Sequence, residues 1–285
     1  MSPSQLADLL ASHVLIWTLG TCLLVALSVW GASFLFRSIW GRYHEWIESH
    51  FTRIGYLRLY IVSGVVATSV FAWAFGECVE MAFRKNPDSS FDALLAKALH
   101  AQASVLTINF FDAITFFGGT IMAVVLGSTV GVWLLRKKEY PLLTMWCVGL
   151  IGNTTLIHFL KLGFHRPRPV FDDPYVLEPY YSFPSGHTMT SVVLYGLLAY
   201  VTFKLAPSYA NRTTATLLIL LGSLIGMSRL VLGAHFFSDV LGGWVLGLGW
   251  VAISVIGTQI YLSWRGSRNP RHNQLADSSP ESRTS

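Results

Sequence analysis

Residues 240–264 read VLGGWVLGLGWVAISVIGTQIYLSW, and none of these 25 side chains is charged. A helix needs about 20 mostly apolar residues to cross a bilayer. The stretch is predicted to be a spanning helix, because a backbone exposed to lipid must satisfy its own hydrogen bonds. The whole chain agrees: 53% of its 285 residues are apolar and 12% are charged, against about 25% charged in a soluble domain. This composition excludes a water-soluble globular domain and a disordered chain.

Six further stretches are apolar enough to span, although two of them are short. They are residues 14–36, 59–76, 113–135, 141–160, 188–203 and 213–227. The predicted fold class is therefore all-α, a polytopic membrane bundle with about seven spans. Three regions are predicted: an N-terminal transmembrane helix with a cytoplasmic linker, the membrane core and a disordered cytoplasmic tail, at residues 1–58, 59–264 and 265–285.

The distribution of basic residues predicts the orientation in the membrane. Seven spans place the termini on opposite sides, and 13 of the 20 Lys and Arg residues fall in the loops on the C-terminal side. By the positive-inside rule this side faces the cytoplasm. We expect a protein of the inner (plasma) membrane with its N-terminus outside. The net charge of +5 is then a property of cytoplasmic loops, and no nucleic-acid partner is expected.

Between the second and third predicted spans lies an amphipathic segment. Its apolar side chains fall on one helical face, and Ser89 with Asp92 resembles a capping box. The segment is predicted to be a helix in the outer membrane interface. Two roles remain open, packing over the bundle or forming an entry rim for a lipid. The face comprises Phe91, Leu94, Leu95, Ala98 and Leu99.

Three polar stretches follow at predicted outer ends of spans: KLGFHRPRP (161–169), YSFPSGHT (181–188) and SRLVLGAHFFSD (228–239). Ionisable side chains near membrane depth are costly and usually functional. Lys and Arg alone could be snorkelling toward water. Snorkelling requires no His, no Asp and no Pro-Ser-Gly turn, so the three stretches together indicate a site.

The residue types suit a phosphate group. Lys161, Arg168 and Arg229 are cationic donors. Ser185 and Gly186 open a predicted helix, whose N-terminal amides bind oxyanions and whose glycine permits close approach.

Two histidines supply the chemistry of a phosphomonoester hydrolase. His235 and Asp239 are four residues apart, so the carboxylate can hold one imidazole nitrogen and leave the other free to attack. His187 is a candidate general acid for the leaving group. A divalent metal on these three residues is the competing interpretation, which the neighbouring cations disfavour. No metal or other cofactor is expected.

The three stretches resemble the signature of the type-2 phosphatidic acid phosphatase superfamily, whose members share a phosphate site with vanadium haloperoxidases. That signature, Lys-x6-Arg-Pro, Pro-Ser-Gly-His and Ser-Arg-x5-His-x3-Asp, is matched in order by residues 161–169, 184–187 and 228–239. The resemblance covers residues 59–264 and implies a six-helix phosphatase core, to which residues 14–36 add a helix.

The resemblance also implies individual roles. His235 would carry a phosphohistidine, Asp239 would orient it and His187 would protonate the departing oxygen, without a metal. The phosphate oxygens would be held by Lys161, Arg168, Ser185, Gly186 and Arg229.

The expected function is hydrolysis of a membrane lipid phosphate or diphosphate at the outer face. Candidate substrates are undecaprenyl diphosphate, phosphatidic acid and phosphatidylglycerol phosphate. A lipid-to-lipid phosphotransferase and a non-catalytic lipid-phosphate binder or transporter are the alternatives. His165 and Arg166 are candidate contacts for a head group or second phosphate, and Gly243 with Gly247 indicates close helix packing.

Overall fold

The computed structural model describes residues 2–50, 53–84, 90–205 and 209–267. Within these ranges the chain is helical and has no strand, so the predicted all-α class is confirmed. A short 3-10 turn lies at Phe116–Gly118. The helices are α1 Pro3–Ser12, α2 Val14–His50, α3 Arg53–Ala82, α4 Phe91–Gln102, α5 Val105–Thr115, α6 Thr120–Arg136, α7 Tyr140–Phe164, α8 Gly186–Leu205, α9 Tyr209–Val231 and α10 Phe237–Ser267. Of the predicted tail, residues 268–285 lie outside the described ranges.

Among the described residues, five helices are long and apolar enough to cross a membrane, and the number rises to seven if each of two bent pairs is one span. This confirms a multi-pass membrane protein. The first pair, Pro3–Ser12 with Val14–Ser28, bends by 85°, and the second, Val105–Gly118 with Thr120–Arg136, bends by 42°. The predicted third span was therefore wrong in its start, because helix begins at Val105 and breaks before a Gly-Gly pair.

Helix α8 lies at the centre of the bundle, in contact with α7, α9 and α10. Two glycines let α10 approach it closely. A Cβ at Gly243 would lie 2.9 Å from the Ser185 carbonyl oxygen, and one at Gly247 would lie 2.8 Å from the Val192 side chain. Any larger residue at these positions would push α10 away from α8. This agrees with the prediction that Gly243 and Gly247 allow close helix packing.

Helix α4 is the predicted amphipathic helix, and it packs over the bundle. Its buried Leu95 and Leu99 join a core cluster with residues of α1, α9 and α10. The predicted cap was wrong by one residue, since Ser90 accepts a hydrogen bond from the Ala93 amide, while Ser89 lies outside the described residues. Asp92 is buried, so the apolar face carries a carboxylate into the protein.

Residues 165–185 connect α7 to α8 without forming a helix or strand. Hydrogen bonds hold this connection together and fix it to α4. The Ser182 amide donates to the Arg166 carbonyl at 2.8 Å, and the Tyr175 hydroxyl donates to the His100 carbonyl on α4 at 2.7 Å. The connection therefore lies over the bundle end where α7 and α9 finish and α8 and α10 begin.

Candidate active site

The predicted site residues converge on one cavity of about 630 Å³. Five of the eight line it: Lys161, Arg168, Gly186, His187 and His235. The other three are buried next to the lining residues and contact them or the adjoining chain, as described below. They are Ser185, Arg229 and Asp239.

His235 and Asp239 form a buried pair, with His235 Nδ1 3.3 Å from Asp239 Oδ2 and side chains 1% and 0% exposed. On the other edge of the ring, Arg168 lies 3.1 Å from His235 Nε2. A guanidinium can only donate, so Nε2 is the accepting nitrogen and Nδ1 carries the proton. The lone pair of Nε2 is therefore on the cavity side of the imidazole.

Electrostatics keep this imidazole neutral. Burial lowers the pKa of His235 to about 3; Asp239 acts in the opposite direction, and the charges of Arg168 and Arg229 reinforce the lowering. At neutral pH the ring is an unprotonated base, which is the state that a nucleophile requires.

Four donors hold the Asp239 carboxylate. The Phe236 amide donates at 2.9 Å, Arg166 donates at 2.5 Å, and the Ser182 hydroxyl and the His235 ring complete the set. A buried carboxylate with this many donors stays charged and has one orientation. It can therefore fix the ring of His235 and offset positive charge on it.

The sequence interpretation of Arg166 as a contact for a head group or second phosphate was wrong. Its guanidinium faces inward and bonds Asp239, the Ser238 hydroxyl at 2.7 Å and Asp92 at 2.8 Å. Asp92 also accepts from the Ser238 amide at 3.0 Å. The network Asp92–Arg166–Asp239 thus links α4 to the start of α10. Sequence reasoning missed this role of Asp92 because it interpreted the residue only as part of a capping box.

Arg168 is held in place by backbone carbonyls. Its Nε donates to Tyr180 at 3.0 Å, and a terminal nitrogen donates to Ala234 at 2.7 Å. Two prolines flank this arginine and favour extended backbone at the residues before them. The arginine therefore extends from the connection toward His235 with its direction fixed.

His187 lies under the break between α5 and α6. A Cβ at Gly119 would lie 3.9 Å from His187 Nε2, and one at Gly118 would lie 2.4 Å from the Ile225 side chain. Gly118 therefore lets the break pass close to α9, while Gly119 lies within ordinary contact distance of the His187 ring.

Ser185 is buried and does not line the cavity. Its amide donates to the Asp239 carbonyl at 3.0 Å, and its hydroxyl accepts from the Thr188 hydroxyl at 2.9 Å. These bonds tie the start of α8 to α10. Its expected contact with phosphate stays a prediction.

Glu178 is a site residue that the sequence analysis missed. It lines the cavity, accepts a hydrogen bond from Arg229 and has one oxygen 3.6 Å from Arg168. Burial acts to raise its pKa, but the charges of Arg229 and Arg168 outweigh this and hold the pKa of Glu178 below its ordinary value. No motif pointed to this residue, because it lies in an irregular connection with no spacing to interpret.

Comparisons with known proteins agree with the motif assignment. A PAP2 superfamily model matches residues 142–261. The chain is 36% identical over 129 residues, 45% of its length, to phosphatidylglycerophosphatase B of Bacillus subtilis, 61% of which is covered. It is 27% identical over 125 residues, 42% of its length, to an undecaprenyl-diphosphatase of the same organism, 60% of which is covered. The chain therefore spans about three fifths of these curated relatives.

A solved structure shares the fold. The transmembrane PAP2-type phosphatidylglycerolphosphate phosphatase of Bacillus subtilis superposes with a TM-score of 0.58 at 28% identity, covering 68% of this chain and 94% of that one. The match to the family model contains all eight predicted site residues. Residues 142–261 therefore match the PAP2 superfamily, which agrees with the resemblance of the three motifs to the type-2 phosphatidic acid phosphatases.

Proposed function

We propose that this protein is an integral membrane lipid phosphatase that works through a phosphohistidine on His235. The observation that carries the proposal is the state of His235. Its Nδ1 faces Asp239 at 3.3 Å, and its Nε2 is held by Arg168 in a cavity shared with Lys161 and His187. A buried, neutral and oriented imidazole surrounded by cations is suited to attack phosphorus.

In the first step the terminal phosphate lies against Lys161 and Arg168 and near the first amides of α8. Nε2 of His235 attacks phosphorus, a P–N bond forms and the P–O bond to the lipid breaks. Asp239 accepts the Nδ1 hydrogen bond and offsets the positive charge on the ring. The bound phosphate favours protonation of the adjacent His187, which then donates its proton to the departing oxygen.

In the second step water attacks the phosphohistidine. His187, now neutral, accepts a proton from that water, the P–N bond breaks and inorganic phosphate leaves. Each group returns to its starting state, and the three cations stabilise charge on the phosphoryl oxygens throughout. We propose that Arg229, behind Glu178, is the third of these cations.

The shape of the cavity supports a lipid substrate. From the polar end it continues between α6, α7 and α8, where the lining is largely apolar and includes Ala123, Val124, Leu150 and Ile151. Val124 and Ile151 are also exposed on the outside of the bundle. A hydrocarbon chain could therefore stay in the bilayer while its phosphate reaches His235.

Among lipids, the proposed substrates are phosphatidylglycerol phosphate and phosphatidic acid, with undecaprenyl diphosphate as the second class. The names of the Bacillus subtilis relatives support both classes. The loop charges support an outward-facing site, with the C-terminus in the cytoplasm of the inner membrane.

The test is phosphate release by purified protein in detergent micelles containing EDTA. Phosphatidic acid, phosphatidylglycerol phosphate and undecaprenyl diphosphate are compared. The variant His235→Ala is expected to lose about 10³-fold or more in rate, and the matched control His158→Ala, an exposed histidine of α7, is expected to retain activity. Full activity of His235→Ala, or loss of all turnover with EDTA, would contradict the mechanism.

A further inference from the structure

The cavity already contains an anion of the protein itself. Glu178 binds Arg229 and lies 3.6 Å from Arg168 and 4.0 Å from His187 Nδ1. These are three of the groups to which the phosphate of a substrate is assigned above. A phosphate that takes the Arg229 donor now bonded to Glu178 must therefore displace this carboxylate.

We propose, on the basis of the phosphatase function above, that Glu178 is a substrate-mimicking carboxylate that the entering phosphate displaces, and that this exchange selects phosphate groups with two negative charges. Three cations surround the position: Lys161, Arg168 and Arg229. With Glu178 in place, the group has a net charge of about +2. A terminal phosphate near neutral pH has a charge of about −2 and three free oxygens, as phosphate monoesters do.

A singly charged phosphodiester has no such advantage. It brings the same charge as the carboxylate that it must displace, and it has only two unsubstituted oxygens. Arg229 has a further donor to offer, because its Nε is buried and has no partner among the described residues. A group with three oxygens can supply an additional acceptor there, whereas a carboxylate has only two oxygens. The exchange therefore favours the monoester on both charge and hydrogen bonding.

The surroundings of Glu178 allow its side chain to leave. Its neighbours Leu177 and Tyr180 are 87% and 80% exposed, so an outward rotation meets solvent or head groups rather than packed core. The backbone beyond it is fixed, since Arg168 binds the Tyr180 carbonyl and the Ser182 amide binds the Arg166 carbonyl. Displacement then requires a change in a side chain and not the opening of the whole connection.

The experiment measures anion binding directly, by calorimetric titration of two small anions into purified protein at mildly alkaline pH. The first is methylphosphonate, a dianion with three free oxygens and no ester bond to hydrolyse, and the second is dimethyl phosphate, a monoanion. Glu178→Gln keeps the shape but removes the competing charge. We expect the variant to bind dimethyl phosphate about ten-fold more tightly than the wild type, or better, because no carboxylate then competes for the cations. Asp172→Asn, which removes an exposed charge of the same connection, is the matched control and should bind as the wild type does.

Unchanged affinity for both anions in Glu178→Gln, or weaker binding of both, would overturn the proposal. A second measurement requires no variant. In a structure of the wild type with orthovanadate at His235, the Glu178 carboxylate should be separated from Arg229, and an ion pair that persists beside the bound vanadate would equally refute it. Phosphate release from phosphatidic acid is assayed separately, so a failure of the phosphatase function is distinguishable from a failure of the exchange.

Discussion

Replacing Asp92 by Asn tests whether the inward network positions the nucleophile. Both carboxylate oxygens of Asp92 accept hydrogen bonds. Oδ1 accepts from the Ser238 amide at 3.0 Å, and Oδ2 accepts from Arg166 at 2.8 Å and from the Ser238 hydroxyl. An asparagine has one acceptor, so either Ser238 or Arg166 meets an NH2 group in place of an oxygen. Both positions are buried, and the lost charged hydrogen bond costs about 1.5–3 kcal/mol.

The same substitution should reduce turnover. Without Asp92, the charge of Arg166 is balanced by Asp239 alone, and Asp239 then offsets less of the positive charge that develops on His235. We expect kcat to fall about ten-fold or more, the order seen when a group orienting an active-site residue is removed. KM should stay within about two-fold, because Asp92 does not line the cavity and an effect on kcat without one on KM marks a transition-state interaction.

The assay combines phosphate release from phosphatidic acid micelles with thermal unfolding followed by the fluorescence of the ten tryptophans. Asp172→Asn controls for the loss of one negative charge near the site. An unchanged kcat in a folded Asp92→Asn protein would refute the positioning role. So would a change confined to KM, since that would place Asp92 in substrate binding.

Three further predictions concern pH, packing and the groove. The folded-state pKa of His235 is about 3, against about 6.5 for a free imidazole. The unfolded chain therefore takes up a proton there first, and stability should fall as the pH drops from about 6.5 toward 3. Between pH 7 and pH 5 the Tm of His235→Gln should fall by less than the Tm of the wild type. Gly243→Ala should lower stability by about 1–3 kcal/mol, because its Cβ would lie 2.9 Å from the Ser185 carbonyl oxygen, whereas Gly20→Ala, with open space around it in α2, should leave Tm unchanged or raise it slightly. Val124→Trp should raise KM for a long-chain phosphatidic acid at least several-fold and leave hydrolysis of methyl phosphate unaffected, since only a lipid tail needs the groove; an equal effect on both substrates would contradict the tail assignment.

The sequence predicted the front of the site because its residues have recognisable types at fixed spacings near helix ends. Successive spans run in opposite directions, so the end of α7, the start of α8, the end of α9 and the start of α10 must share a face. The partners behind the site had no such signature. Asp92 belongs to α4, whose apolar side chains contact both α1 and the rest of the bundle. A hydrophobic pattern does not show whether a helix face packs against protein or against lipid, so the pattern could not predict that Asp92 is buried in the protein.

The bends in the chain escaped prediction for a related reason. A run such as 113–135 satisfies an average hydropathy criterion with or without a break inside it. Gly118 and Gly119 are helix breakers by residue type, but only the close approach of Gly118 to Ile225 explains why the helix breaks there. Ile225 lies in α9, far away along the chain.

Charge divides the site into two parts with different tasks. Behind His235, Arg166 is enclosed by the carboxylates of Asp92 and Asp239, and every charge has a fixed partner, so this part can orient groups but has no capacity for another ion. In front, Lys161, Arg168 and Arg229 face one carboxylate, Glu178, and retain unmatched positive charge. Desolvating unmatched charge is costly, so the front part gains most from an anion that brings two charges at once. His235 lies between the two parts: Nδ1 is turned to the closed network and Nε2 to the open one, which is the arrangement that nucleophilic attack on a bound phosphate requires.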